Sequence, residues 1–453
     1  MTTAKPNLIW ILSDQHRGQA MSFAGDPNVS TPNLDRMAAE GVWFRRAITG
    51  TPLCCPARGS ILTGRYPHQA IPGHEQPLPQ GIPTLADPFN QAGYDTAWFG
   101  KWHVDGFRES GGRAAFHTVP RSRRGGFQTW IGYENNNAQF DSYCHGHRDD
   151  AEIDRFRLPT FETDALTDSL LEHITARSSG ARPFFAVLSV QPPHDPYTAP
   201  ESWMQRHRPA DIKLRANVPP IASVREQARR ELAGYYALIE NIDWNIGRVR
   251  KHLETLGLTN GTHIVYFSDH GDHHGSHGHF RKLTPYQEAI HVPLIIGGPT
   301  HRHYEVDHIS TALLNHVDIA PTSLGLCGID VPESMAGFDY SREVVRRPNA
   351  DEHPPAAALL QSVVPTGHGP SVDQPWRGLL TIDGWKYIAF SGAPYLLFNL
   401  NEDPYELRNL AHHAHAASKR TVLHRQLVDL LSSAGDPFTF WDRGGHTAPG
   451  THA

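Results

Sequence analysis

The sequence predicts an α/β fold in which a large mixed β-sheet is sandwiched by helices and a smaller α+β domain with a short antiparallel sheet follows. Short β-type apolar runs alternate with helical patterns over the first 350 or so residues. The length of 453 residues also exceeds what one compact core usually covers. A stretch rich in Pro and Ala then interrupts the pattern, and we place the two domains at residues 1–352 and 353–453.

The individual elements follow from the spacing of apolar residues. Apolar runs predict strands at residues 7–13, 42–49, 95–99, 184–190, 263–268 and 292–296. A helix capped by Thr31 should end before Gly41, and a long helix is expected from 224 to 256, where apolar residues repeat at alternating steps of four and three. The small domain should contain strands at 379–388 and 395–400 and a helix near 420–431.

Composition limits the classes of function. The formal net charge of −6 gives no basic surface of the kind that nucleic acids or acidic membranes attract. Four cysteines, scattered apart from one vicinal pair, indicate neither a disulfide framework nor a zinc finger. The apolar stretch at residues 8–12 is too short for a signal peptide, so we expect a cytoplasmic protein. The tail at 444–453 is expected to be flexible or to contact another subunit, which leaves open whether a homo-oligomer forms.

Polar side chains follow directly on four of the predicted strands. They are Asp14 with Gln15, Lys101 with His103, His194, and Asp269 with His270. Ligands of open α/β sheets bind beyond the carboxyl ends of the strands, so these groups should converge although they are far apart in sequence. Their types suit a metal ion and an anion.

A short helix follows the second predicted strand. Pro56 suits a first helical turn and Gly64 suits the position after the last one, which predicts a helix at 57–63. Cys54 would then lie just before the N-terminus of this helix, where free amides and the helix dipole favour an anion. A buried structural thiol is the alternative interpretation of Cys54, and an exposed helical charge is that of Arg58.

These residues also carry a family resemblance. Cys54, Pro56, Arg58 and the run 62–65 form the pattern Cys-x-Pro-x-Arg-x-x-x-Leu-Thr-Gly-Arg, which resembles the signature of the type I sulfatases. Further blocks similar to that family lie at residues 13–17, 31–36, 100–103, 193–197, 268–272, 292–295 and 317–322, and more weakly at 384–388 and 397–406. The chain is thereby identified as a member of the formylglycine-dependent sulfatases in the alkaline phosphatase superfamily, which implies an alkaline-phosphatase-like sheet.

The resemblance implies a modified nucleophile and a metal ion. Cys54 would be oxidised to formylglycine by a formylglycine-generating maturation enzyme, and Arg58 would hold the modified side chain. The implied metal site comprises Asp14, Gln15, Asp269, His270 and the modified Cys54. Oxygen ligands favour Ca²⁺, whereas the imidazole of His270 makes Mn²⁺ the alternative.

The resemblance also assigns roles to four cations and imidazoles. Lys101 would contact the sulfate, and His103 would be the base that collapses the covalent intermediate. His194 and Lys282 would flank the leaving-group oxygen, although Arg281 could be the active cation instead of Lys282.

The implied reaction is hydrolysis of a small or aryl sulfate monoester to alcohol and sulfate. One hydroxyl of the formylglycine hydrate attacks sulfur to give a sulfated hemiacetal, and deprotonation of the other expels sulfate. The polar insert at residues 112–150 could line a specificity pocket or be a surface loop. Two alternatives remain open: a phosphonate monoester or phosphodiester hydrolase with the same site, and a non-catalytic metal- and anion-binding protein in which Cys54 stays unconverted.

Overall fold

A ten-stranded mixed sheet organises the larger part of the molecule. The computed structural model describes residues 5–108, 111–298, 308–345, 353–367 and 372–440. The strands of this sheet are β1 (Asn7–Asp14), β2 (Val42–Phe44), β3 (Asp95–Lys101), β4 (Thr129–Tyr133), β5 (Tyr143–Arg148), β6 (Ala151–Arg157), β7 (Phe184–Pro193), β8 (Thr262–Ser268), β9 (Leu294–Gly297) and β10 (Ile309–Ser310). Their order is β10-β2-β9-β8-β1-β7-β3-β4-β5-β6.

The centre of the sheet is parallel, and this places the functional strand ends on one edge. Strand β1 pairs in parallel with β7 and β8, and β3 pairs in parallel with β7 and β4. The pairs β8–β9, β2–β9, β4–β5 and β5–β6 are antiparallel. The carboxyl ends of β1, β3, β7 and β8 therefore open onto a common edge.

Helices cover both faces of the sheet. The helices are α1 (Pro32–Glu40), α2 (Cys54–Thr63), α3 (Ala86–Gln91), α4 (Glu162–Arg177), α5 (Glu201–Met204), α6 (Ala222–Thr255), α7 (Gln287–Ile290), α8 (Ile319–Cys327) and α9 (Ala417–Ala434). Trp10 of β1 belongs to a core shared with α2, α3 and α8, whereas its neighbour Ile11 belongs to a core shared with α1, α4 and α6. Alternate residues of a strand point to opposite faces, so both faces are buried and the predicted sandwich is confirmed.

The C-terminal part contains the expected short antiparallel sheet. Its strands, in spatial order, are β11 (Ala357–Ser362), β12 (Trp376–Thr381), β13 (Trp385–Phe390) and β14 (Pro394–Asn399). One face packs on α9 through Leu359, Leu379 and Leu427. The other face packs on the large sheet domain, where Leu360 and Ile48 share a core. This second contact anchors the small sheet beside α2.

Several predicted boundaries need correction. The stretch 379–388 is not one strand, because a turn containing Gly384 at φ 89° divides it into β12 and β13. Strand β2 ends at Phe44 instead of continuing to 49. Thr31 precedes α1, but its hydroxyl donates to the Asp35 carboxylate instead of capping a backbone amide.

Some expectations concern parts of the chain that the structure does not describe or test. Residues 346–352, beside the predicted domain boundary, and the tail at 444–453 lie outside the described residues. The boundary at 352/353 stays a prediction. Within the described residues, no helix combines the length and apolar character needed to cross a bilayer. All four cysteines are buried, and no disulfide joins them.

Candidate active site

Helix α2 presents the candidate nucleophile. Cys54 is its first residue, whereas the helix was predicted at 57–63. The helix therefore begins earlier than predicted, and Cys54 belongs to it instead of preceding it. Leu53 before it is extended, and Gly64 ends the helix in the left-handed conformation at φ 63°. The first amides of a helix have no intrahelical partner, and the Cys54 side chain lies at this end. Only 2% of Cys54 is exposed, so its side chain is almost completely buried.

Four side chains converge at this point. The Cys54 Sγ lies 3.0 Å from Nε2 of His270 and 3.9 Å from Oδ1 of Asp14. The same nitrogen is 3.6 Å from Asp14 Oδ1 and 3.7 Å from Asp269 Oδ1. Each of the four offers one ligand atom, and these atoms lie within 4.8 Å of one another. Two carboxylates, an imidazole and an oxygen from an oxidised Cys54 form a donor set that fits a divalent cation.

The His270 ring is oriented for ligation. Its Nδ1 lies 3.1 Å from the carbonyl oxygen of Gly271, so Nδ1 carries the proton and donates it. The lone pair of Nε2 then faces the other three ligand atoms. Burial lowers the pKa of His270, which favours the neutral imidazole that a metal requires.

Two buried cations hold the carboxylates in place. Arg58 donates from Nε to Asp269 Oδ2 at 3.0 Å and from Nη2 to Asp14 Oδ2 at 3.1 Å. Lys101 Nζ lies 2.7 Å from Asp14 Oδ2, but the angles are not those of a hydrogen bond. Burial alone would raise the pKa of Asp14, yet Lys101, His194 and Arg58 outweigh it and hold that pKa well below its ordinary value. Lys101 thus keeps donors for a further anion.

Two histidines complete the ring of polar groups. His103 is 3% exposed, and its Nδ1 has no hydrogen-bond partner. Burial and the neighbouring Lys101 hold the pKa of His103 well below its ordinary value, so its imidazole is neutral and can accept a proton. His194 lies across the site, where its Nε2 is 2.8 Å from Nζ of Lys282 and its Nδ1 is 2.8 Å from the carbonyl of Asp195.

Comparison with known proteins places the chain in a family. Residues 6–329 match the family described as Sulfatase, and residues 275–433 match the one described as N-sulphoglucosamine sulphohydrolase, C-terminal. The chain belongs to the sulfatase family. It is therefore a hydrolase that acts on sulfuric esters.

Relatives of this sulfatase cover nearly its whole length. It is 34% identical over 439 residues to the ulvan-active sulfatase of Formosa agariphila, a match covering 96% of this chain and 82% of the relative. The structure of yidJ from Bacteroides fragilis, described as a sulfatase, superposes with a TM-score of 0.84 at 26% identity and covers 96% and 97% of the two chains. The phosphonate monoester hydrolase of Agrobacterium radiobacter shares the fold, with a TM-score of 0.75 at 22% identity over 98% and 100% of the chains.

The sulfatase structure distinguishes the two candidate cations near His194. Lys282 donates from Nζ to Gln15 Oε1 at 2.7 Å, beside its contact with His194. Arg281 instead donates to Glu231 Oε2 at 2.7 Å and lies 3.4 Å from Asp195 Oδ1. Burial would lower the pKa of Lys282, but the charges at Cys54 and Asp14 outweigh it and raise that pKa. Lys282 is therefore the cation that faces the site.

Gln15 is placed at the site by an unusual backbone conformation, with φ at 69°. Its amide nitrogen donates to Asp272 Oδ2 at 2.5 Å, while its amide oxygen accepts from Lys282. Its backbone N–H donates to Asp269 Oδ1 at 3.1 Å. These contacts connect Gln15 to both the carboxylates and Lys282, and its role as a metal ligand stays a prediction.

Sequence reasoning missed several supporting residues. Asp272 and Tyr197 both contact the Gln15 amide, and each lies inside a block already quoted for the family, which was the available signal. Ser189 accepts from Arg58 Nη1 at 3.0 Å and donates to the Lys101 carbonyl at 2.7 Å. It lies in the middle of the apolar strand β7, where sequence offers no sign of this function.

The predicted specificity insert is ordered against the sheet. Its residues form β4 and β5, and a cavity of about 260 Å³ is lined by residues 112–114 and 135–138. Gln191 donates to Asn137 Oδ1 at 3.1 Å, and Gln139 donates to the carbonyl of His194 at 3.1 Å. The cavity wall is therefore joined to the segment that carries His194.

Proposed function

We propose that this sulfatase hydrolyses a sulfate monoester of a small or aryl alcohol with a formylglycine made from Cys54. The observation that carries the proposal is the position of Cys54, at a helix N-terminus, 3.0 Å from His270 and among the carboxylates of Asp14 and Asp269. A core thiol does not require such surroundings. A maturation enzyme that recognises the segment around Cys54, Pro56 and Arg58 would supply the oxidation.

A divalent cation would be held by Asp14, Asp269 and His270, with Gln15 as a further candidate ligand. Ca²⁺ is favoured by the two carboxylates, and Mn²⁺ is the alternative. When bound, the ion would act as a Lewis acid toward the ester oxygens. The hydrated aldehyde would supply two hydroxyls on one carbon, one to attack sulfur and one whose deprotonation releases sulfate.

The remaining steps rest on the encoded side chains. Lys101, with donors left over from Asp14, would bind a sulfate oxygen and stabilise the charge that develops there. His103, neutral and lacking a partner at Nδ1, would take the proton in the step that releases sulfate. Lys282 and His194, in contact with each other at 2.8 Å, would deliver a proton to the leaving oxygen.

The alcohol would lie toward the cavity whose wall is joined by hydrogen bonds to the segment that carries His194. That cavity is lined by Arg113 and by the side chains of residues 135–137, which are all Asn. Amide and guanidinium groups suit a hydroxyl-bearing leaving group. The name of the relative from Formosa agariphila, an ulvan-active sulfatase, supports testing carbohydrate sulfates beside aryl sulfates.

The substrate class is tested by comparing two esters of the same phenol. We expect kcat/KM for the aryl sulfate to exceed that for the matching aryl phosphonate monoester by at least about 10-fold, which corresponds to about 1.4 kcal/mol in transition-state binding. A Cys54→Ala variant purified in parallel controls for contaminating hydrolases. A preference for the phosphonate would overturn the proposal in favour of the phosphonate monoester hydrolase alternative.

A further inference from the structure

A second group of metal-type side chains lies behind the candidate nucleophile. Cys55 follows Cys54 on α2 and, because successive helical residues are about 100° apart, leaves the helix in another direction. The Cys55 side chain lies close to the rings of His74 and His103. Each of the three offers one ligand atom, and these atoms lie within 4.8 Å of one another.

The spacing of these atoms suits a metal ion with tetrahedral coordination. Cys55 Sγ lies 3.8 Å from Nδ1 of His74. With Zn–S near 2.3 Å and Zn–N near 2.0 Å, tetrahedral ligand atoms are roughly 3.5 Å apart. The observed separation therefore needs to close by only a few tenths of an ångström.

An independent observation comes from His103. Its Nδ1 is buried and has no hydrogen-bond partner, although a buried imidazole nitrogen normally finds one. The ring meets that of His74 edge to face, with centroids 5.9 Å apart and an interplanar angle of 85°. The rings are therefore not stacked, and one ligand atom of each lies within 4.8 Å of the other and of the Cys55 sulfur.

We propose that Cys55, His74 and His103 form a second metal site that takes Zn²⁺ and withdraws His103 from catalysis. One thiolate and two imidazoles are a softer donor set than the carboxylates around Asp14, so the two sites should select different ions. On binding, the Cys55 thiol loses its proton to the buffer and no electron is transferred. The His74 side chain, 18% exposed, gives the ion a path from solvent.

Binding of Zn²⁺ to Cys55, His74 and His103 does not depend on the proposed function. Inhibition by Zn²⁺ rests on the proposed function, because it requires His103 to be the catalytic base. If His103 is the base, the ion occupies the imidazole that must accept a proton, and turnover stops. Zn²⁺ would then inhibit without displacing the cation held by Asp14 and Asp269.

Binding is tested with the vicinal cysteines as a matched pair. The full chain, kept in excess Ca²⁺, is titrated with Zn²⁺ by calorimetry, and Co²⁺ is used as a spectroscopic substitute. We expect Cys55→Ser and His74→Ala each to raise the dissociation constant for Zn²⁺ at least about 10-fold, as the loss of one ligand of three should. Cys54→Ser should leave it within about twofold. A thiolate-to-cobalt absorption band should persist in Cys54→Ser and vanish in Cys55→Ser.

Two outcomes would overturn the site. One is loss of the cobalt band in Cys54→Ser with retention in Cys55→Ser; the other is an unchanged Zn²⁺ affinity in His74→Ala. The partly exposed His74 keeps the test decisive if the buried Cys55 variant does not fold.

Inhibition of aryl sulfate turnover by Zn²⁺ should weaken in His74→Ala in step with affinity, and inhibition that stays unchanged while binding is lost would refute the regulatory role. A chain without sulfatase activity would refute the proposed function, and the calorimetric result would still decide the site.

Discussion

Two fully buried lysines occupy different regions of the molecule and differ in what surrounds them. Lys101 ends β3 at the active site, and Lys386 lies on β13 of the small sheet, where it contacts the large domain. Lys101 has a carboxylate partner, Asp14, but the contact leaves its donors incompletely used. Lys386 pairs with Glu406 and also donates to the carbonyl of Pro285.

This difference distinguishes a lysine that is placed to bind a ligand from one that stabilises the fold. At the active site, Arg58 and Lys101 contact the carboxylates of Asp14 and Asp269, and Lys101 retains capacity for an incoming anion. Around Lys386 the contacts come from protein groups: the ammonium also donates to the carbonyl of Pro285, and the backbone N–H of Gln287 donates to Glu406 Oε2. A buried charge with spare donors indicates a binding site, whereas one whose partners are all protein groups indicates an anchor between domains.

The largest expected effect comes from Lys101→Met. Loss of a preorganised donor to the sulfate should lower kcat/KM for an aryl sulfate by about 10³-fold. The fold should survive, because Asp14 keeps Arg58 as a partner. Steady-state kinetics and circular dichroism measure the two effects, and a variant that retains activity within about threefold would contradict a sulfate-binding role for Lys101.

Lys386→Met should lower the stability of the fold and leave the activity almost unchanged, which is the reverse of Lys101→Met. Removing one partner of a buried pair leaves Glu406 uncompensated and should cost about 3–5 kcal/mol in the free energy of unfolding, measured with urea. Activity per folded molecule should stay within a few-fold. The double variant Lys386→Met with Glu406→Gln should recover part of the stability, and a stable single variant would contradict the anchoring role.

The adjacent residues Arg281 and Lys282 also differ in their contacts with the active site. Lys282→Ala should lower kcat by about 10²-fold for an ester with a poor leaving group, and less for a good one, because it assists protonation of the leaving oxygen. Arg281→Ala, which removes contacts to Glu231 and Asp195, is the matched control and should lower kcat less. Equal losses that do not depend on the leaving group would contradict this assignment.

The smallest effect concerns Asp318, a buried carboxylate held by backbone amides. Burial raises its pKa to about 7 although the amides of Asn315 and Phe338 donate to it. The folded chain therefore keeps a proton that the unfolded chain releases near pH 3.8, and stability falls as pH rises from about 4 to 7. Asp318→Asn should flatten that slope by at most about 1.4 kcal/mol per pH unit in urea unfolding. An unchanged slope would contradict the shifted pKa.

Sequence predicted the parts of the site that lie at strand ends. Asp14, Lys101 and Asp269 could be placed because parallel strands deliver their carboxyl ends to one edge. The grouping of Cys55 with His74 and His103 could not be predicted from the sequence, because it depends on the path of a loop after α2. Strand β11 was missed for a related reason: its alanine-rich sequence reads as part of the domain boundary until the neighbouring strand pairs with it. The cytoplasmic location stays a prediction.

Peptide mass spectrometry shows directly whether Cys54 is the precursor of the nucleophile. The tryptic peptide of residues 47–58 contains both Cys54 and Cys55, so one thiol is an internal control for the other. In active protein from the native source, we expect fragmentation to place an aldehyde, trapped by a hydrazide, at Cys54 and a thiol at Cys55. Full activity with Cys54 present only as a free thiol would contradict the account.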